Sequence, residues 1–288
     1  MIPLRYKDRR EEGETALRQC QLVQLHLLHV FDRICRENNL IYCLSGGTLI
    51  GALRHNGFIP WDDDLDVAMP MKDFKKFLKM APKILPQDVT LQKPGDEPRS
   101  GYRFAKLRDA YSFFYEPHVR VPTIAPSGIY LDIFPYEDCP AIPESFRRKI
   151  RWLTSAFYEH QLKNLFKMTE CPILLGWWFY CKALCCSIAH LLLRGFWHFL
   201  QLVLPCRNVC FLLDFWEAKL NIPKAWLNDM PTHRFEDGDF PVPHHADEAL
   251  QQRYGDWRTP LPPDQRQGHV AFIDPFRSAH PVEGLDIV

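Results

Sequence analysis

The sequence has no surplus of charge of either sign. It carries 35 Lys and Arg against 35 Asp and Glu over 288 residues. Proteins that hold nucleic acid through its phosphates usually carry a basic excess, so no nucleic-acid partner is expected. The first dozen residues hold no apolar run, so no secretory leader is expected at this end and the expected location is the cytoplasm. Ten cysteines are present, but none falls in a zinc-type pair of pairs. They are expected as reduced, mostly buried thiols, with Cys181, Cys185 and Cys186 in a helical core. Internal repeats and low-complexity linkers are also missing. The most apolar stretch, residues 173–204, is interrupted by Lys182, His190, Arg194 and His198. No 18-residue window is free of such groups, so a membrane-spanning helix is not expected.

The zero net charge is a sum of unlike parts. Residues 1–140 carry 19 basic and 19 acidic groups, residues 141–224 carry 11 and 5, and residues 225–288 carry 5 and 11. The middle part is therefore +6 and the last part −6. The basic part also holds Trp152, Trp177, Trp178, Trp197 and Trp216, five of the eight tryptophans. Apolar helices with aromatic and basic residues can lie on a membrane surface, and packing on the protein core is the more common use of such helices. A peripheral membrane contact through 141–224 is one expectation, and a packed helical subdomain is the other.

Apolar residues at three- and four-residue steps predict a helix over 14–38. Strands are expected over 40–44, 64–69, 89–92, 102–107, 111–115 and 128–134, the last ended by Pro135. Short helices fit 48–54 and 72–80. Long helices fit 144–168 and 173–219, and one more fits 246–254. Strands interleaved with helices, then a helical block, predict an α+β class. The expected parts are a core over 1–140, a helical insertion over 141–224 and a completing segment over 225–288.

The informative stretch runs from Ser45 to Met69. On a strand alternate side chains share a face, which puts Asp62, Asp64 and Asp66 on one side. Strands are poor places for carboxylates, so a cluster there calls for a compensating cation such as Mg²⁺. Asp132, between Leu131 and Ile133, is a second such carboxylate. Gly46 and Gly47 before a short helix let backbone amides approach a phosphate at the helix N-terminus. Solvated caps and turns are the bland alternative for the Asp run.

These residues resemble a known family. The run GGTLIGALRHNGFIPWDDDLD over 46–66 is similar to the signature of the LicD family, which includes bacterial phosphocholine transferases and is related to fukutin and fukutin-related protein. Further similar pieces follow in order: KLRD at 106–109, GIYLDIFP at 128–135, FEDGDFP at 235–241 and YGDWRTP at 254–260. The match spans about residues 20 to 275.

The resemblance implies a nucleotidyltransferase-like mixed sheet with flanking helices and an inserted helical region. It implies catalytic carboxylates at Asp64, Asp66 and Asp132, with Mg²⁺ or Mn²⁺ as cofactor held by Asp64 and Asp66, and with Asp132 either completing the metal site or acting as base for the acceptor hydroxyl. It also implies a phosphate cradle at Gly46, Gly47 and Thr48, with Arg54 and Lys106 as cationic contacts for a diphosphate. Asp62 and Trp61 are further candidates. Sixteen residues separate Gly47 from Asp64, longer than the wider superfamily usually shows. The implied reaction moves phosphocholine from a CDP-activated donor to a hydroxyl of a cell-surface glycan or its lipid-linked precursor. A CDP-ribitol or CDP-glycerol donor, or a non-catalytic glycan-binding scaffold, are the alternatives. Bland roles remain for several of these residues. Arg54 could complement a helix dipole, Lys106 could be an exposed strand charge, and Trp61 could pack beneath the Asp loop. His244, His245 and His269 suit a solvated surface better than an acceptor site.

Overall fold

The computed structural model describes residues 8–96, 102–115, 128–170, 172–211, 221–266, 268 and 272–276. The chain divides into two compact units. The first comprises 1–96, 104–135 and 226–288, and the second comprises 97–103 and 136–225.

In the first unit, α1 (Ala16–Glu37) is capped by Thr15, whose Oγ1 accepts from Arg18 N at 3.1 Å. Its apolar residues are buried on nearly every side, so α1 runs through the core rather than over it. Next come β1 (Cys43–Leu44), α2 (Gly46–His55), β2 (Asp66–Pro70), α3 (Met71–Met80), β3 (Val89–Gln92), β4 (Ala105–Asp109) and β5 (Phe113–Tyr115). β6 (Tyr130–Cys139) starts in this unit. The sheet order is β1-β2-β6-β4-β3, which seats β6 between β2 and β4. The ladders β1–β2, β3–β4 and β4–β6 are antiparallel. Leu27, Leu28 and Phe31 of α1 pack with Leu44, Val67, Leu107, Leu131 and Phe77 in one core.

Four expectations are corrected here. The strand expected over 64–69 begins only at Asp66, because the backbone at Asp62 and Asp63 is held by side chains instead of a ladder. Gln21 Nε2 donates to Asp62 O at 3.0 Å and Gln24 Nε2 to Asp63 O at 2.7 Å. The helix expected over 48–54 begins two residues earlier, so Gly46 and Gly47 form its first turn. Pro135 does not stop β6. Residues 130–133 pair with β4 and residues 137–139 with the next strand, so the proline falls between two ladders, where no amide donor is required. The helix expected over 173–219 ends at Val203, because Leu204 precedes Pro205 and is extended at φ −113° and ψ 149°.

The second unit holds the rest of β6, α4 (Glu144–Glu170), α5 (Ile173–Val203), β7 (Asn208–Cys210) and β8 (Asn221–Pro223). The two helices pack along each other through buried Ile150, Ala183, Trp197 and Leu200. Arg194 Nη1 donates to both carboxylate oxygens of buried Glu137, at 2.8 and 3.0 Å. The chain returns to the first unit with β9 (Thr232–Phe235), β10 (Gly238–Pro241), α6 (Ala246–Tyr254) and β11 (Phe272–Asp274). β9 pairs with β10, and β11 with β5, both antiparallel.

Cysteine placement is mixed. Cys20, Cys35, Cys43, Cys139 and Cys210 are buried, but Cys181 and Cys185 are exposed and Cys186 is half-buried, so that trio is not core. Cys139 borders a cavity of about 400 Å³ that is also lined by Arg147 and Arg207. A hydrogen bond with Cys210 outweighs burial, and Arg147, whose Nη1 stands 3.6 Å from the Cys139 sulfur, adds its own hydrogen bond and charge. Together they hold the Cys139 thiol down at about 6. The thiolate is the nucleophile, and protonation at lower pH removes it. Iodoacetamide labelling of Cys139, followed by mass spectrometry, should therefore rise through pH about 6. A rise only near pH 9, where an ordinary thiol ionises, contradicts this reading.

Candidate active site

The site is built in the first unit where β1 turns into α2. Ser45 N donates to Asp66 O at 3.1 Å, tying the turn to the first residue of β2. Thr48 Oγ1 accepts from Asp66 N at 2.8 Å, which fixes the aspartate from the helix side. Thr48 is buried and so engaged with Asp66. Gly46 lies at φ +59°, a left-handed conformation that favours glycine. A Cβ there would collide with Asp66 Oδ2, and one on Gly47 would stand 2.8 Å from Asp62 Oδ2. Gly46 is thus required by its backbone conformation, and at Gly47 a side chain would displace the Asp62 carboxylate from the start of α2.

Asp66 is buried, and burial is the first cause that raises its carboxyl well above the usual carboxylate range. The neighbouring charges of Asp64, Asp132 and Asp62 push the same way, against Arg253. The predicted carboxylates Asp64 and Asp132, with Asp62, therefore lie close enough to Asp66 for their charges to act on it. Asp62 and Asp64 are half-buried, whereas Asp63 points inward and is 1% exposed. Asp132 comes from β6, its backbone N donating to Leu65 O at 2.8 Å.

Lys106 is not an exposed strand charge. It is 1% exposed and lies opposite Asp132 in the β4–β6 register. Its Nζ is 2.9 Å from Asp132 Oδ1 and 3.2 Å from Oδ2, and 3.3 Å from the Tyr130 ring centroid. Arg54 ends α2, with Nη1 donating to Trp257 O at 2.9 Å and Nε to His55 Nε2 at 3.0 Å. Burial and the nearby Arg266 lower its pKa, against the charge of Asp62. Trp61 is half-buried against the core, with the Arg266 guanidinium 4.1 Å over its ring. It packs under the Asp loop, with Arg266 against its ring.

The sequence reading gave no role to Arg253 and Tyr254, which end α6. Burial first, then Asp66, Asp64 and Asp62, push the Tyr254 hydroxyl up, while Arg253 acts the other way. Both residues therefore stand in the field of the carboxylates. The signal available was the YGDWRTP run, which starts on Tyr254. Other motif residues do structural work. Glu236 accepts from Phe58 N at 3.2 Å and pairs with Arg18 at 2.6 Å, so it holds the turn after α2. Buried Asp109 is gripped by Arg10, with Nη2 to Oδ1 at 2.6 Å and Nη1 to Oδ2 at 3.2 Å. His245 is 3.1 Å from Glu248 on the surface at the start of α6, and His269 lies outside the described residues.

Among the described residues no group of three or more His, Cys, Asp and Glu side chains forms a ready metal cage. The donor chemistry still suits Mg²⁺, which takes one or two carboxylates and completes its shell with substrate phosphate and water. Asp64 and Asp66 fit that need, since Asp66 carries uncompensated repulsion from its neighbours.

The comparisons with known proteins agree with this construction. Residues 39–178 match the model of the LicD/FKTN/FKRP nucleotidyltransferase domain. The lipopolysaccharide cholinephosphotransferase LicD of Haemophilus influenzae is 29% identical over 279 residues, 88% of this chain and 96% of that protein. An uncharacterized protein of Rickettsia prowazekii is 40% identical over 67 residues, 23% of either chain. One from Rickettsia typhi is 46% identical over 46 residues, 16% of this chain and 15% of its own. With its glycine turn and its neighbouring carboxylates, the chain is similar to the LicD family through the domain match over 39–178 and through a relative aligned along nearly its whole length.

Proposed function

We propose that this chain transfers phosphocholine from CDP-choline to a sugar hydroxyl of a glycan or its lipid-linked precursor, with Mg²⁺ bound at Asp64 and Asp66. The family match and the cholinephosphotransferase relative support a phosphotransferase. The observation that supports the finer reading is the charge of Asp62, Asp64 and Asp132 acting on buried Asp66, which lies against the glycine turn that starts α2. A scaffold gains nothing from burying a carboxylate among like charges, which costs stability.

Phosphoryl transfer needs in-line positioning and charge neutralisation more than covalent participation by the protein. The acceptor oxygen attacks the phosphorus that bears choline, and the bond from that phosphorus to the CMP oxygen breaks. CMP leaves with the electron pair, and the hydroxyl proton passes to a carboxylate of the cluster. Asp64 and Asp66 would hold Mg²⁺, which would supply positive charge for the oxygen of the departing CMP. Gly46 and Gly47 present the first turn of α2 to the donor phosphates. Arg54 and Arg253 supply cationic groups around them. Lys106, buried opposite Asp132, acts through that carboxylate and holds it in place.

The test is CMP release from CDP-choline with a glycan acceptor and Mg²⁺. Release that EDTA abolishes is the expected result. Release from CDP-ribitol or CDP-glycerol but not from CDP-choline would move the protein to the polyol-phosphate class. No release from any of the three donors would end the catalytic reading.

A further inference from the structure

The second unit carries a surface that the transfer reaction does not use. Among the described residues one helix, Leu175–Val203, is long and apolar enough to cross a membrane by length and composition. This differs from the sequence expectation because only Lys182 and Arg194 bear full charges in it, the two histidines being neutral at ordinary pH. A core helix of that composition would be mostly buried, but only 11% of its most apolar stretch is buried. It also lies far from the N-terminus, where a leader would be.

The exposure has a side. Trp177, Trp178, Ile188, Leu191, Leu192 and Leu202 are 63, 57, 50, 67, 69 and 85% exposed. At 100° per residue they fall within an arc of roughly 140°. Ala183, Trp197 and Leu200 are buried on the other side. Over 29 residues the bare strip is roughly 43 Å long. Contiguous exposed apolar surface of this kind marks an interaction site.

We propose that α5 lies in the plane of a membrane containing anionic lipid, with this strip sunk into the acyl boundary and α4 above it. Three observations choose that occupant. Aromatic residues with flanking cations mark the headgroup level. Here Lys182 Nζ stands 4.8 Å from the Trp178 ring and Lys167 Nζ 5.6 Å from the Phe179 ring. Second, α4 exposes Arg148, Lys149, Lys163 and Lys167 against Glu144 and Glu159, within a segment of charge +6. This complements an anionic surface. Third, the inner side of α5 is polar near its middle. Arg194 is bonded to Glu137, and His190 Nδ1 is 3.2 Å from Thr154 O. A crossing helix would carry that ion pair into hydrocarbon at large cost, so α5 lies on the membrane and does not cross it.

The inference does not depend on the transfer chemistry, and its test reads binding alone. The full chain is mixed with vesicles of phosphatidylcholine and phosphatidylglycerol, or of phosphatidylcholine alone, and sedimented. The intact protein should pellet with the mixed vesicles, less so at high salt. Brominated lipids should quench its tryptophan fluorescence. The double variant Leu191→Glu/Leu202→Glu should bind at least tenfold more weakly with an unchanged melting temperature, since both side chains face solvent. Intact protein left in the supernatant with both vesicle types overturns the proposal. So does a dimer in sedimentation equilibrium that the double variant dissociates while lipid has no effect, which would make a second copy the occupant.

Discussion

Asp66→Asn should lower phosphocholine transfer by about 10²–10³-fold while leaving the protein at least as stable as before. The two halves of that expectation come from the same geometry. Asp66 is buried at the head of β2, and three other carboxylates act on it. A buried like-charge cluster without a permanent cation weakens the folded state. The amide is nearly the same size and keeps the backbone bond from Asp66 N to Thr48 Oγ1, so the turn survives. It loses the negative charge that would bind Mg²⁺ and the donor diphosphate. Steady-state CMP release and a thermal melt in EDTA measure the two halves. An active variant, or one whose melting temperature drops by several degrees, would contradict the assignment of Asp66 to function over structure.

Lys106→Ala should have the opposite signature, a loss of about 3–5 kcal/mol in unfolding free energy. Lys106 and Asp132 face each other across β4 and β6, both nearly sealed from water, at 2.9 Å. Removing the ammonium takes away the counter-charge that stands 2.9 Å from the buried Asp132 carboxylate, and it also removes the cation nearest to the Tyr130 ring. Replacing both partners by apolar groups of similar volume, Lys106→Met with Asp132→Leu, should recover most of the stability and none of the activity. Urea midpoints for the two single variants and the double variant close the cycle. Equal destabilisation in the single and double variants would show that packing, not the ion pair, accounts for the loss.

Local pattern carried far in this protein. The expected strand over 89–92 and helix over 246–254 coincide with β3 and α6, because burial period and turn residues act over a few positions. The Asp run and the glycine pair were legible for the same reason. Their side chains lie within one loop and one helical turn of each other. The extent of β6 was not legible, since a proline within a strand depends on which neighbours pair on each side of it. Nor was the burial of Lys106, which follows from strand register and from the seat of β6 between β2 and β4.

By itself the sequence determined the α+β class, the resemblance to the LicD family and the candidate carboxylates at Asp62, Asp64, Asp66 and Asp132, because each is written in a local run of residues. Only the tertiary structure decided the partners of those carboxylates. Lys106 comes from a separate strand, Gln21 and Gln24 from α1, and Arg253 and Tyr254 from a helix almost 190 residues beyond Asp66. It also decided which helix face stays bare. The apolar residues of α5 spread all around the helix, and only its packing on α4 divides them into a covered side and an open one. The physical reason is the same in both cases. A charge's partner and an apolar side chain's burial depend on distance in space, which sequence separation does not encode.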